Sequence, residues 1–185
     1  SNHPAPPYGL IGLGKISYSS QVYLYSRILS VYKTYDSLPL AINVKSWSAT
    51  NIPIGYTTFT VTQVIDTTIN LKTDVETNKI LPTSVVVGGK TINTGQFLHL
   101  AVQTTNQLKN NNNSTILLED DTVPSSSEES LSSGSLSIAD YVDFAQRIDT
   151  HMDNNHQAPP YGITGLGKIS YQNMVYIFSK ILTSY

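Results

Sequence analysis

Residues 155–171 read Asn155-His156-Gln157-Ala158-Pro159-Pro160-Tyr161-Gly162-Ile163-Thr164-Gly165-Leu166-Gly167-Lys168-Ile169-Ser170-Tyr171, and an apolar-patterned segment carries on to Tyr185. The other end of the chain says the same thing. There Asn2-His3-Pro4-Ala5-Pro6-Pro7-Tyr8-Gly9 is followed by Gly12-Leu13-Gly14-Lys15-Ile16-Ser17-Tyr18 and a similar segment to Tyr32. Aligned at an offset of 153 positions, 20 of the 31 pairs are identical. Conservative exchanges account for several others, among them Leu24/Ile177, Tyr25/Phe178 and Arg27/Lys180. Two copies of one signature at opposite ends of a 185-residue chain mark a repeat array. Such arrays usually present binding surfaces rather than catalytic clefts.

The interior follows the same grammar with weaker identity. Each unit has an apolar residue, a capping residue, a helix, then Leu-Pro or Ala-Pro and an extended tail. Leu38-Pro39, Leu81-Pro82 and Ala158-Pro159 hold matching places, and Val123-Pro124 is taken as a decayed fourth. Thr60 with Gln63 and Asn93 with Gln96 have the spacing of capping boxes, and Ser137 with Asp140 is a weaker relative. Tyr171, Met174, Val175, Phe178, Ile181, Leu182 and Tyr185 share one helical face, as do Ile138, Tyr141, Val142, Ala145, Ile148 and Met152. Proline cannot continue a helix and pushes the residue before it toward extended geometry, so each X-Pro pair is a stop. The expected fold is mainly α: tandem units of a helix and a proline-initiated extended tail. Five helices are predicted near 18–36, 60–78, 94–109, 138–155 and 170–185, with strand-like passes at 41–44 and 85–87.

Residues 109–135 differ in composition, with Asn110 to Asn113, Ser125 to Ser127 and Glu128-Glu129. This stretch is expected to be a polar linker, dividing a repeat region at 1–108 from a repeat unit at 136–185. The chain opens inside a repeat unit, which suggests a piece of a longer protein. The first tail has no helix before it and the last helix has no tail after it. Phe178, Ile181 and Leu182 are therefore expected to need cover, from the other chain end or from a homodimer through the terminal half-repeats.

Composition narrows the function classes. The formal net charge is −2 and the pI is near 6.0, so no nucleic-acid partner is expected. Charged residues make up 13%, about half the share usual for a soluble domain, and Ser, Thr, Asn and twelve Tyr supply polarity instead. The chain has no Cys, which excludes disulfides and thiolate chemistry. No apolar run reaches the roughly 20 residues of a membrane span, so none is expected.

Several motifs carry tempting chemistry. Gly9 to Lys15, and its copy Gly162 to Lys168, nearly spell a phosphate loop, but Ile16 and Ile169 stand where the magnesium hydroxyl belongs. His151 and His156 are five apart, unlike a helical metal pair, and neither a zinc site nor any cofactor is expected. No G-x-S-x-G nucleophile elbow occurs, and no enzyme is expected. Glu119-Asp120-Asp121 and Glu128-Glu129 are taken as solvated runs. Asn112-Asn113-Ser114-Thr115 contains overlapping glycosylation sequons.

The signature Pro7-Tyr8 to Gly14-Lys15-Ile16-Ser17-Tyr18, repeated as Pro160-Tyr161 to Gly167-Lys168-Ile169-Ser170-Tyr171, resembles the pseudomurein-binding repeat. A diverged copy at 59–108 keeps Leu81-Pro82, Gly88-Gly89-Lys90 and Ile92. The resemblance covers the chain outside the polar stretch. That family occurs in surface proteins of methanogenic archaea and in the wall-lysing pseudomurein endoisopeptidases of their viruses. It holds proteins to pseudomurein, a polymer of N-acetylglucosamine and N-acetyltalosaminuronic acid cross-linked by peptides.

The resemblance implies a non-catalytic, extracellular, cell-wall-associated module that binds the glycan, the cross-linking peptide or both. The alternative is a structural spacer or adhesin repeat that makes protein–protein contacts on the cell surface. Candidate ligand-binding residues are the repeated tyrosines Tyr8, Tyr18 and Tyr23 with Tyr161, Tyr171 and Tyr176, and the turn lysines Lys15 and Lys168. Tyrosine offers a ring for stacking on sugars and a hydroxyl for hydrogen bonding.

Overall fold

A computed structural model describes residues 8–11, 14–35 and 57–185. The chain divides into two compact units, residues 1–56 and 57–185. In the first, strands β1 (Tyr8–Ile11) and β2 (Gly14–Ser17) pair as an antiparallel hairpin that runs into helix α1 (Tyr18–Tyr35). The extended pass expected at 41–44 lies outside the described residues.

The second unit contains strand β3 (Thr58–Phe59), helix α2 (Val61–Asn78), strands β4 (Ser84–Val87) and β5 (Lys90–Asn93), and helix α3 (Thr94–Lys109). Strands β6 (Ile116–Leu117) and β7 (Ser130–Leu131) follow, then helix α4 (Ile138–Asn155), strands β8 (Tyr161–Thr164) and β9 (Gly167–Ser170), and helix α5 (Tyr171–Thr183). The protein is mainly helical, with five helices and short antiparallel sheets among the described residues.

The repeat is a helix, a hairpin and a second helix. What the sequence suggested as an extended tail after Leu81-Pro82 and Ala158-Pro159 is only the first strand of that hairpin. Its second strand leads directly into the next helix. Elements of the first copy start 77 positions before their counterparts: 61 and 138, 84 and 161, 90 and 167, 94 and 171. The hairpin and helix of residues 8–35 match the latter half of this unit, 76 positions ahead of 84 and 94. Val123-Pro124 begins no such unit; it sits in the connection between α3 and α4.

Local chemistry explains the boundaries. Thr60, Asn93 and Ser137 each accept a hydrogen bond from the third helical residue, whose side chain returns the bond, so all three form capping boxes. Ser170 caps α5 by accepting from Asn173 N. Helices α2 and α4 both end in a left-handed residue, Lys79 at φ 59° and His156 at φ 50°, whose N–H satisfies a carbonyl one turn back. Gly88 and Gly89 both have positive φ between Val87 and Lys90, the two-residue turn that suits the twist of paired strands. Gly162 lies against the Phe144 ring so closely that any Cβ there would collide with it.

The core forms between repeats as much as within them. Helix α2 packs on α5, α3 packs on α4, and α3 also packs on α5. Each repeat thus lends its first helix to cover the other repeat's second. Phe97, Phe144, Met152, Met174 and Phe178 are fully buried in this interior. Phe178 and Leu182, expected to need cover from the chain end or a dimer partner, are already buried within the second unit. Ile181, the third of these residues, is partly buried and lines an open groove at the end of α5.

The stretch expected as a linker at 109–135 lies inside this second unit and is tied to it at several points. β6 pairs with β3, β7 adds an edge to the β8–β9 hairpin, and Thr122 bridges to Gln157. Asp121 is buried and Ile116 joins the core. A polar composition conceals these attachments because most of them use backbone groups. Among the described residues no helix is long and apolar enough to cross a membrane.

Candidate functional site

The exchange of helices between repeats creates two equivalent seams, one between α3 and α4 and one between α5 and α2. Their chemistry differs. On α3, His99, Gln103 and Asn106 share a face at helical spacing; Asp149 and Asp153 do the same on α4. His99 Nδ1 lies 2.7 Å from Asp121 Oδ2, and its Nε2 lies 3.1 Å from Asp149 Oδ1 and 3.7 Å from Asp153 Oδ1. Asn106 donates to the other oxygen of Asp149 at 3.1 Å, and the Gln103 amide stands 3.1 Å from His99 Nε2. Burial disfavours the imidazolium, but hydrogen bonds to Asp121 and Asp149 and their charges outweigh it and raise the His99 pKa to about 10.

In the second seam the counterparts of His99 and Gln103 are Tyr176 and Lys180, and those of Asp149 and Asp153 are Lys72 and Glu76. The Tyr176 hydroxyl donates to Glu76 at 2.7 Å, and Lys72 reaches the same carboxylate at 3.1 Å. These two hydrogen bonds hold the Glu76 pKa below its ordinary range, while the Glu76 carboxylate raises that of Tyr176. Lys180 lies over the Tyr176 ring, 5.4 Å from its centroid.

Beside these seams runs an open groove of about 660 Å³, bounded by the C-terminal ends of α3 and α5, the start of α4, residues 131–136 and the β8–β9 turn. Its floor is apolar, formed by Leu136, Val142, Ile169, Ile177 and Leu182. Its rim carries Lys109 and Lys180, the hydroxyls of Ser132, Ser133 and Ser184, and the rings of Tyr141 and Tyr185. The supposed linker forms one wall: Ser132 N donates to Leu166 O at 2.8 Å and ties that wall to the hairpin turn.

No family model, curated protein or solved structure matches this chain.

The structure separates the residues expected to bind a ligand. Tyr161 and Lys168 meet on the β8–β9 hairpin, where Lys168 Nζ lies 4.3 Å from the Tyr161 ring centroid. Lys168 is also paired with Glu128 at 2.7 Å, which raises its pKa. Tyr176 belongs to the second seam. Tyr23 is half-buried on α1, with Arg27 5.9 Å from its ring centroid. Tyr171 is a correction: only 5% exposed, it donates a 2.9 Å hydrogen bond to Thr94 across the core. Burial pushes its hydroxyl pKa up to about 12, and it cannot face a ligand. The side chains of Tyr8, Lys15 and Tyr18 lie outside the described residues.

The acidic runs are also more than solvated surface. Besides the Glu128 pairing, Glu129 accepts from Ser170 Oγ at 2.6 Å and from the Asn173 side chain at the start of α5. Both bonds lower its pKa, and a carboxylate is favoured at a helix N-terminus. Sequence reasoning missed His99, Asp121, Asp149 and Asp153, and it missed the groove. Aligning 99 with 176 at the offset of 77 would have exposed the exchange of Tyr for His.

Proposed function

We propose that this chain is a non-catalytic module that attaches a larger protein to a pseudomurein-type cell wall. The groove carries this reading. An apolar floor suits the acetyl methyls and ring faces of amino sugars, and tyrosine rings at the rim suit stacking. Lys109 and Lys180 would meet the carboxylates of uronic acid units or of the cross-linking peptide. The duplicated Pro-Tyr to Gly-Lys-Ile-Ser-Tyr signature supports the same reading, because its second copy supplies the hairpin turn and helix that border the groove.

The test is co-sedimentation with purified pseudomurein sacculi, with bacterial murein sacculi as the comparison. The intact chain should pellet with pseudomurein and be released by salt, as expected for exposed charge pairs. Replacing Lys109 and Lys180 by Gln should weaken retention at least tenfold, about 1.4 kcal/mol. Failure of the intact chain to pellet would favour a structural spacer, and full retention of the double variant would move the site away from the groove.

A further inference from the structure

We propose that the α3–α4 seam is a binding site for one divalent cation of the zinc class, held by His99 Nε2, Asp149 and Asp153. One ligand atom from each of these residues lies within 4.8 Å of the others. A cation with bonds of about 2.0–2.2 Å sets neighbouring ligand atoms about 3.0–3.6 Å apart. The observed separations from His99 Nε2, 3.1 and 3.7 Å, are close to that before any ion has drawn them in.

Three observations raise the cluster above a chance gathering of acids. The first is the orientation of His99. Its ring is 2% exposed, and its Nδ1 faces a buried carboxylate at 2.7 Å. Metal-binding histidines are oriented in this way, the second nitrogen donating to a carboxylate while the ion takes the place of the proton on the first. The second is Asp121 itself, whose Oδ1 is buried and has no hydrogen-bond partner. It lies on the Nδ1 side of the ring, with His156 Nδ1 4.0 Å from that oxygen, so its buried charge bears on the site by holding His99 with Nε2 toward Asp149 and Asp153.

The third observation comes from the repeats. Where the middle copy has His99 and Gln103, the last has Tyr176 and Lys180 and the first has Tyr23 and Arg27. The second seam holds two lysines, Lys72 and Lys180, against Glu76. At the places of those two lysines the first seam has Asp149 and Gln103, it keeps an acid at Asp153 where the second has Glu76, and Asp121 stands behind His99. Two lysines have thus been replaced by a carboxylate and an amide, both of which can offer oxygen to an ion. The Gln103 amide, turned end for end, would offer its oxygen to the same point. Asp149 and Asp153 are partly exposed and leave an entry from solvent. An ion there would pin α3 of one repeat to α4 of the next, joining the two copies across their interface.

The intact chain, stripped with EDTA, should be titrated with Zn²⁺ by calorimetry, with thermal unfolding followed in parallel. The wild type should take up one equivalent and unfold at higher temperature when loaded. Asp153→Asn, at the most exposed of the three ligands, should weaken uptake at least tenfold. Gln103→Lys restores the cation found in the other copies. It should abolish the Zn²⁺-dependent rise while matching or exceeding the wild type's metal-free unfolding temperature. His151→Gln should leave uptake unchanged. Absence of one-equivalent uptake by the folded wild type would overturn the site. So would undiminished uptake by both Asp153→Asn and Gln103→Lys, or loss of uptake on His151→Gln. Wall retention is read separately, so failure here leaves the groove proposal standing.

Discussion

The two seams occupy equivalent places and solve the same problem differently. Both join a first helix of one repeat to the second helix of the other, and both bring polar groups to the edge of the core. The α5–α2 seam uses lysine, tyrosine and glutamate at a half-exposed surface, where single contacts contribute little. The α3–α4 seam places His99 and Asp121 out of water, where the pair matters more and a missing partner costs more. Repetition fixes the scaffold; the exchanged side chains set what each seam can bind. The interiors diverge in the same way. Phe144 and Phe178 stack at 5.8 Å in the second repeat, while the corresponding places in the first hold Thr67 and Ala101.

The largest expected effect tests that interior difference. Phe178→Ala, which makes the second repeat like the first at this point, should destabilise the protein by about 3–5 kcal/mol in chemical denaturation, because the ring is fully buried and its loss leaves a cavity. A loss below about 1 kcal/mol would mean that the two repeats pack interchangeably.

Next comes the contrast between seams. In metal-free buffer, Asp121→Ala should cost about 3 kcal/mol because it leaves the buried Nδ1 of His99 without a partner, Asp149 and Asp153 reaching only Nε2. Tyr176→Phe, which removes the hydrogen bond at the equivalent seam, should cost about 1 kcal/mol or less. Equal losses would erase the distinction between a buried and a half-exposed seam.

The helix caps should respond alike in the two repeats. Thr60→Ala and Ser137→Ala each remove an equivalent capping box and should each cost about 1 kcal/mol. A large disparity between them would break the equivalence of α2 and α4.

The smallest effect lies on the acid side. The folded pKa of Glu76 is depressed, so its contribution is present above the ordinary carboxylate value and is lost as pH falls through the folded value. Glu76→Gln should therefore unfold with a slightly shallower acid dependence than the wild type in pH-dependent denaturation. An unchanged profile would show that the second seam adds nothing through charge.

Helices and their starts were legible because their causes are local. Thr60, Asn93 and Ser137 each announce a helix with a partner three residues on. The hairpins were half legible. A four-residue strand shows too little alternation to identify its partner, although Gly88-Gly89 between Val87 and Lys90 was a usable turn signal. The seams and groove were illegible by spacing because their contacts are long-range: His99 meets Asp121 from 22 residues away and Asp149 from 50. Lys168 and Glu128, 40 apart, pair across what composition suggested was a free linker. Tyr171 misled because a tyrosine on an apolar stripe looks the same whether its hydroxyl meets a sugar or, as here, Thr94.

The most direct measurement of the account is an amide and methyl NMR titration of the intact chain with solubilised pseudomurein fragments. Binding in the groove predicts shifts gathered at Leu131 to Leu136, Tyr141 and Ile177 to Tyr185, with Lys109 among them and the interior around Phe97 quiet. No saturable shifts, or shifts centred away from the groove on the α2 face, would contradict it.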